Sequence, residues 1–143
     1  MFKPVFYTHF SSPELTISED MAAQLMIVAA RGVVPSEAYR KGYGTATEVA
    51  IKKHLPYWLV NNKEGGIITP EDQIWASEVM SPRLANESCI KKMALIEPND
   101  MYSRIILEDL MDRGRPMFPF EMQFFQEVRN AYAWFSDVAV VSF

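Results

Sequence analysis

The residues best suited to chemistry gather in one stretch, LVNNKEGGIITPEDQIW (Leu59–Trp75). An apolar run stops at Asn61 and Asn62, glycines follow at Gly65 and Gly66, and Thr69-Pro70-Glu71-Asp72 opens what reads as a helix. Each asparagine amide both donates and accepts hydrogen bonds, which suits recognition of a polar ligand or a partner backbone. Gly65-Gly66 could offer backbone N–H groups to a phosphate. The spacing is neither GxxxxGKS/T nor GxGxxG, however, and a turn needing positive φ explains the pair better. Thr69 could be a switch or a nucleophile, but no base stands beside it in sequence to activate the hydroxyl. A helix start accounts for all four residues from 69 to 72. Thr69 accepts a first-turn N–H, Pro70 sits where a missing N–H costs nothing, and Glu71 and Asp72 suit the positive end of the dipole.

A second set of polar residues, Asn99-Asp100, closes the stretch KKMALIEPND. If both stretches are parallel strands, Asn61, Asn62, Asn99 and Asp100 gather beyond their carboxyl ends, where open α/β sheets place ligands. Elsewhere the chemistry thins out. His9, His54 and Cys89 have no metal-ligand spacing, so no metal is expected. Glu71, Asp72 and Glu78 read as a solvated helix face rather than an acid–base set. The nine methionines are scattered, as core filling would have them. No catalytic residue and no cofactor loop can be assembled, and the chain reads as a non-enzyme.

The whole chain bounds these readings. Its 143 residues fit one domain spanning 1–143, and 49% hydrophobic with 22% charged residues is the composition of a packed protein. A net charge of −4 with scattered basic residues argues against nucleic acid. A single cysteine and an N-terminus without an uninterrupted apolar run predict a cytoplasmic protein. LMIVAA (Leu25–Ala30) is too short to span a membrane.

Element patterns then place the polar residues. Pro4–Phe10, Pro13–Ile17 and Gln24–Ala30 read as an antiparallel meander, with Ser18-Glu19-Asp20 as turn material. Tyr39, Tyr43, Ala46 and Ala50 mark one face of a helix from Ser36, its expected N-cap, to about His54. Gly42 and Gly44 weaken that helix by roughly 1 kcal/mol each and leave room for close packing. Tyr57–Val60 is a short strand, Pro70 to about Met80 a helix, and Ile90–Ile96 a strand. Tyr102, Ile105, Ile106 and Leu110 mark the buried side of the next helix, followed by an edge strand at Phe120–Phe124. Val128, Ala131, Tyr132 and Phe135 mark a last helix, and the apolar tail Ala139–Phe143 could pair with a sheet edge or with a second copy. The order β-β-β-α-β-α-β-α-β-α predicts an α/β fold: a mixed sheet with an N-terminal meander, parallel central strands and about four flanking helices.

Four segments, VVPSEAYRKG (Val33–Gly42), YWLVNNKEGGIITPEDQIW (Tyr57–Trp75), KKMALIEPND (Lys91–Asp100) and FFQEVRNAYAWF (Phe124–Phe135), resemble the SpoIIAA-like group of STAS-type proteins. These are small bacterial domains, also called STAS/SEC-fourteen-like. The resemblance implies a mixed sheet flanked by helices and a style of function: STAS domains are protein-interaction switches. They carry a phosphorylatable Ser or Thr at the start of a helix after a central strand. That position falls at Thr69 here, with Ile68 where the family usually has Asp.

The expected function is therefore a non-enzymatic regulatory or protein-interaction module, working through Asn61, Asn62, Gly65, Gly66, Thr69, Asn99 and Asp100, with Thr69 as its phosphosite. Its expected partner is another protein, and the apolar N-terminal strand and tail offer a homodimer surface. The alternative is a binder of a small apolar or amphipathic, lipid-like ligand. Trp75, Trp134, Phe124 and Phe135 would then be its pocket walls.

Overall fold

A computed structural model describes residues 3–65 and 68–136. Three strands, β1 (Phe6–Ser11), β2 (Leu15–Asp20) and β3 (Leu25–Gly32), form the antiparallel meander. Strands β4 (Tyr57–Gly65), β5 (Lys92–Ile96) and β6 (Glu121–Phe125) then add in parallel, so the six-stranded sheet runs in sequence order. Antiparallel pairing suits the short turns of the meander, and parallel pairing suits the long crossovers that follow. The fold is thus the mixed α/β sheet that the pattern predicts.

Period-2 alternation divides the core. Leu15, Ile17, Met26, Val28, Trp58, Val60, Met93 and Leu95 point to one face, where α1 (Ser36–Lys53) covers them through Tyr39, Tyr43, Ala46 and Ala50. Leu25, Leu59, Ala94 and Ile96 point to the other face, where α5 (Val128–Phe135) supplies Ala131 and Phe135. Gly42 sets the approach of α1: a Cβ there would lie 2.4 Å from Leu15 Cδ2, whereas one on Gly44 would meet nothing within 4 Å.

Ser18, Glu19 and Asp20 form the end of β2, not a turn. Their polarity is absorbed locally. Glu19, 3% exposed, holds Lys53 Nζ at 2.8 Å and His9 Nε2 at 3.0 Å. Asp20, 1% exposed, accepts from the Val5 and Ala22 N–H groups and from the Tyr132 hydroxyl. Paired and bonded in this way, two carboxylates can be buried in a strand.

Ser36 is not the cap of α1. Pro35 holds that position, and the Ser36 hydroxyl instead donates to Asp72 Oδ2 at 2.9 Å. The second helix also runs past Met80: α2 (Pro70–Trp75) continues through a π-helical turn (Ala76–Met80) into α3 (Ser81–Glu87). Pro82 gives the reason. Its ring cannot take the usual i−4 bond, and the widened turn accommodates it. In α4 (Met101–Gly114) the buried side is Ser103, Leu107 and Leu110, while Tyr102 and Ile105 are 63% and 58% exposed. Tyr102 and Ile105 face solvent, contrary to their expected burial, whereas Leu110 is buried as expected and Ile106 is half-buried.

Candidate functional site: a polar cleft at the strand ends

β4 runs on through Asn61, Asn62, Lys63 and Glu64 to Gly65, rather than ending at Val60. These residues are strand, not loop, because β3 remains beside them: Ala29 pairs with Asn61, Arg31 with Glu64 and Gly32 with Gly65. Between the first two pairs β4 carries one more residue than β3, a β-bulge. Asn61 Oδ1 accepts the Lys63 N–H at 3.1 Å within it. Among the described glycines only Gly32 has positive φ, at 62°, so Gly65 is not the positive-φ turn expected there. Gly65 instead folds close to Asn62, whose Oδ1 would lie 3.2 Å from a Cβ. Gly66 and the tail Ala139–Phe143 lie outside the described residues.

Along the carboxyl-terminal halves of β3 and β4 opens a cleft of about 610 Å³, lined by Glu14, Thr16, Arg31, Asn61, Lys63, Glu64 and Asn99 among others. The Asn99 N–H donates to the Lys63 carbonyl at 3.1 Å, which ties the start of the β5–α4 loop to β4. The Lys63 ammonium reaches Glu127, just before α5, at 3.2 Å. Lys63 thus joins three elements at the rim. Arg31 is exposed at the same rim. The cleft offers donors, acceptors and both signs of charge over a small area.

The cleft unites only part of the expected set. Asn61 and Asn99 meet there, as the parallel-strand argument requires. Asn62, one residue on, lines a separate apolar cavity on the α1 side of the sheet. Asp100 is a helix cap: its Oδ2 accepts the Ser103 N–H at 2.7 Å, and that bond holds its carboxyl below the usual range. Thr69 is likewise a cap, its Oγ1 accepting the Asp72 N–H at 3.3 Å, and it lines neither space. Asp72 is not solvated as expected. At 1% exposure it bonds both Ser36 and Arg40, so it fastens α2 to α1.

The four expected pocket walls do not meet either. Phe124 packs on the α1 face, and Trp75 lies edge-on to Tyr39 with centroids 5.9 Å apart. Trp134 and Phe135 belong to α5 on the opposite face, where Lys92 Nζ sits 5.0 Å from the Trp134 ring. The cleft residues Thr16, Arg31 and Lys63 carry no motif. Strand register reveals Thr16 and Arg31, which β2–β3–β4 pairing brings near Asn61, and the continuation of β4 past Val60 places Lys63 there.

No family model matches the chain, and no curated protein does. Among solved structures it is similar to an uncharacterised DUF3478-family protein with a SpoIIAA-like fold from Shewanella loihica PV-4. The two chains are 16% identical, superpose with a TM-score of 0.58, and are each 92% covered. The fold is SpoIIAA-like. Within this SpoIIAA-like sheet, Asn61 lies inside β4 opposite Ile96, the last residue of β5, Asn99 follows three residues after that strand, and Thr69 caps the helix after β4. Among the described residues no helix is long and apolar enough to cross a membrane, and no three His, Cys, Asp or Glu side chains cluster as metal ligands.

Proposed function

We propose that the protein is a non-enzymatic interaction module of STAS type, and that its partner docks in the cleft along the carboxyl-terminal halves of β3 and β4. The observation that carries this reading is the company around Asn61. Asn99, Thr16, Arg31 and Lys63 line one cleft of about 610 Å³ with two carboxylates, Glu14 and Glu64. Such a surface fits a polar peptide segment, whose backbone amides match the asparagines and whose side chains meet charges of either sign.

Regulation in this reading sits at Thr69. A phosphate there would gain from the helix N-terminus, but it would replace the cap acceptor of Asp72 and repel its buried carboxylate. The modification would therefore loosen α2 from α1.

The test is affinity capture followed by reconstitution. Protein carrying Arg31→Glu with Asn99→Leu should lose a partner that the wild type and Cys89→Ser retain, and the purified partner should bind wild type alone. Equal binding by the double variant would remove the cleft from the function. Intact mass with and without phosphatase checks Thr69.

A further inference from the structure

Among the described residues β1 is an edge of the sheet, paired with β2 on one side and with no strand on the other. The Met21 N–H donates to the Val5 carbonyl at 2.8 Å, and the Val5 N–H donates to Asp20 Oδ1 at 3.1 Å, so the main chain of Val5 faces β2. Alternation along an antiparallel pair then turns the N–H and C=O groups of Phe6 and Thr8 outward. Val5, Phe6 and Tyr7 on this edge are 48%, 60% and 56% exposed. Proteins ordinarily guard an open edge with charged side chains. Here no Lys, Arg, Asp or Glu occurs from Pro4 to Pro13. The opposite edge, β6, begins with the exposed Glu121 and carries no exposed large apolar side chain.

We propose that β1 pairs antiparallel with β1 of a second copy, about a twofold axis at Tyr7, so that one sheet runs through a homodimer. Charge favours the chain itself as the occupant. A twofold axis sets a strand against its own copy, so any charge on it would meet its like, and in a chain of net charge −4 this strand carries none. A different partner would be selected by complementary charge, which the edge does not offer. The register follows from the open groups. With Tyr7 opposite its copy, Phe6 lies opposite Thr8, and the outward N–H and C=O groups of both are bonded. Centred on Phe6 instead, Thr8 would face Pro4, which has no N–H to give. The register shift between Thr8 and Phe10 confines the pairing to the residues before it. A strip this short lies at the low end of interface sizes, so association is expected at about 10–100 µM. β1 contributes no residue to the cleft, so dimerisation and partner binding stand or fail separately.

Sedimentation equilibrium of the full chain should show a mass that rises from 16.4 kDa toward twice that value between micromolar and millimolar concentrations. Tyr7→Lys sets like charges opposite each other and should weaken the dimer about tenfold or more. Ile74→Lys, at a residue that is 57% exposed on α2, should leave it unchanged. Thermal melts establish that both variants fold. Cysteine pairing in a Cys89→Ser background gives a second readout should Tyr7→Lys not fold. Directly opposed residues of a non-hydrogen-bonded pair have Cα atoms about 4.5 Å apart, within disulfide range, so Tyr7→Cys should cross-link with diamide. Val5→Cys, offset along the strand from its own copy, should not. A constant mass of 16.4 kDa, a dimer that Tyr7→Lys leaves intact, or equal cross-linking at positions 5 and 7 overturns the proposal. So does a chain that dimerises only once residues 137–143 are removed, since the edge would then belong to its own tail.

Discussion

Arg40 and Asp72, separated by 32 residues in sequence, meet with Nε 3.2 Å from Oδ1. The pair is asymmetric: the Arg40 side chain is 46% exposed and that of Asp72 only 1%. Removing the arginine strands a buried carboxylate, whereas neutralising the aspartate leaves a guanidinium that water can solvate. Arg40→Ala should therefore cost about 2 kcal/mol, and Asp72→Asn, which keeps an acceptor for Ser36, should cost less. Urea denaturation of both variants and their combination checks this. Equal losses would mean that the carboxylate is hydrated once Arg40 is gone.

The two glycines of α1 should respond with opposite signs. Gly42→Ala gains helix propensity but forces a methyl to 2.4 Å from Leu15 Cδ2, against a leucine that is 1% exposed. Overpacking outweighs propensity, for a net loss of about 1–2 kcal/mol. Gly44→Ala meets nothing within 4 Å and should gain about 0.5–1 kcal/mol. Thermal melts should separate the variants by several degrees, with wild type between them.

Acid should cost the protein the stability that Glu19 supplies. Burial pushes its carboxyl up, but bonds and charges from Lys53 and His9 outweigh burial and hold it below its ordinary value of 4.5. The stability it contributes is complete above that value and is lost as pH falls through the lower folded value. Unfolding free energy should fall below about pH 5, and Glu19→Gln should flatten that slope. An unchanged slope in Glu19→Gln would assign the acid sensitivity to other carboxylates.

Thr69→Ala should cost about 1 kcal/mol through loss of the cap to the Asp72 N–H, and Thr69→Ser should restore most of it. Chemical denaturation measures both. Similar losses in Ala and Ser would show that the methyl group, not the hydroxyl, matters at this position.

The legible parts of the sequence were those with strong local periodicity. The face Tyr39, Tyr43, Ala46 and Ala50 lies in α1 as its i, i+4, i+7, i+11 spacing demands, and Thr69-Pro70 starts α2. Local pattern fails where tertiary pairing supplies what a segment lacks. Asn61–Gly65 looks like a loop, yet β3 continues alongside and keeps it extended. Glu19-Asp20 looks like a turn, yet Lys53, His9 and Tyr132 reach it from distant positions. That Asn61 and Asn99 share one cleft is legible in the sequence, because the ends of neighbouring parallel strands lie side by side. Arg31 and Thr16 are not, since residue type alone gives no sign of cross-strand register, and Lys63 is hidden by a strand that continues where the sequence looks like a loop.

β4 is a partition with a different chamber on each side, and alternation decides which side chain enters which. Deleting Tyr57 while keeping the pairing of the strand start with Leu25 would shift every later residue by one and turn that wall inside out. The indole would exchange faces with Leu59, and the polar rim would receive the Asn62 amide, which now faces the cavity on the α1 side. Point substitutions can tune either chamber alone, but no shift of frame along this strand can spare both.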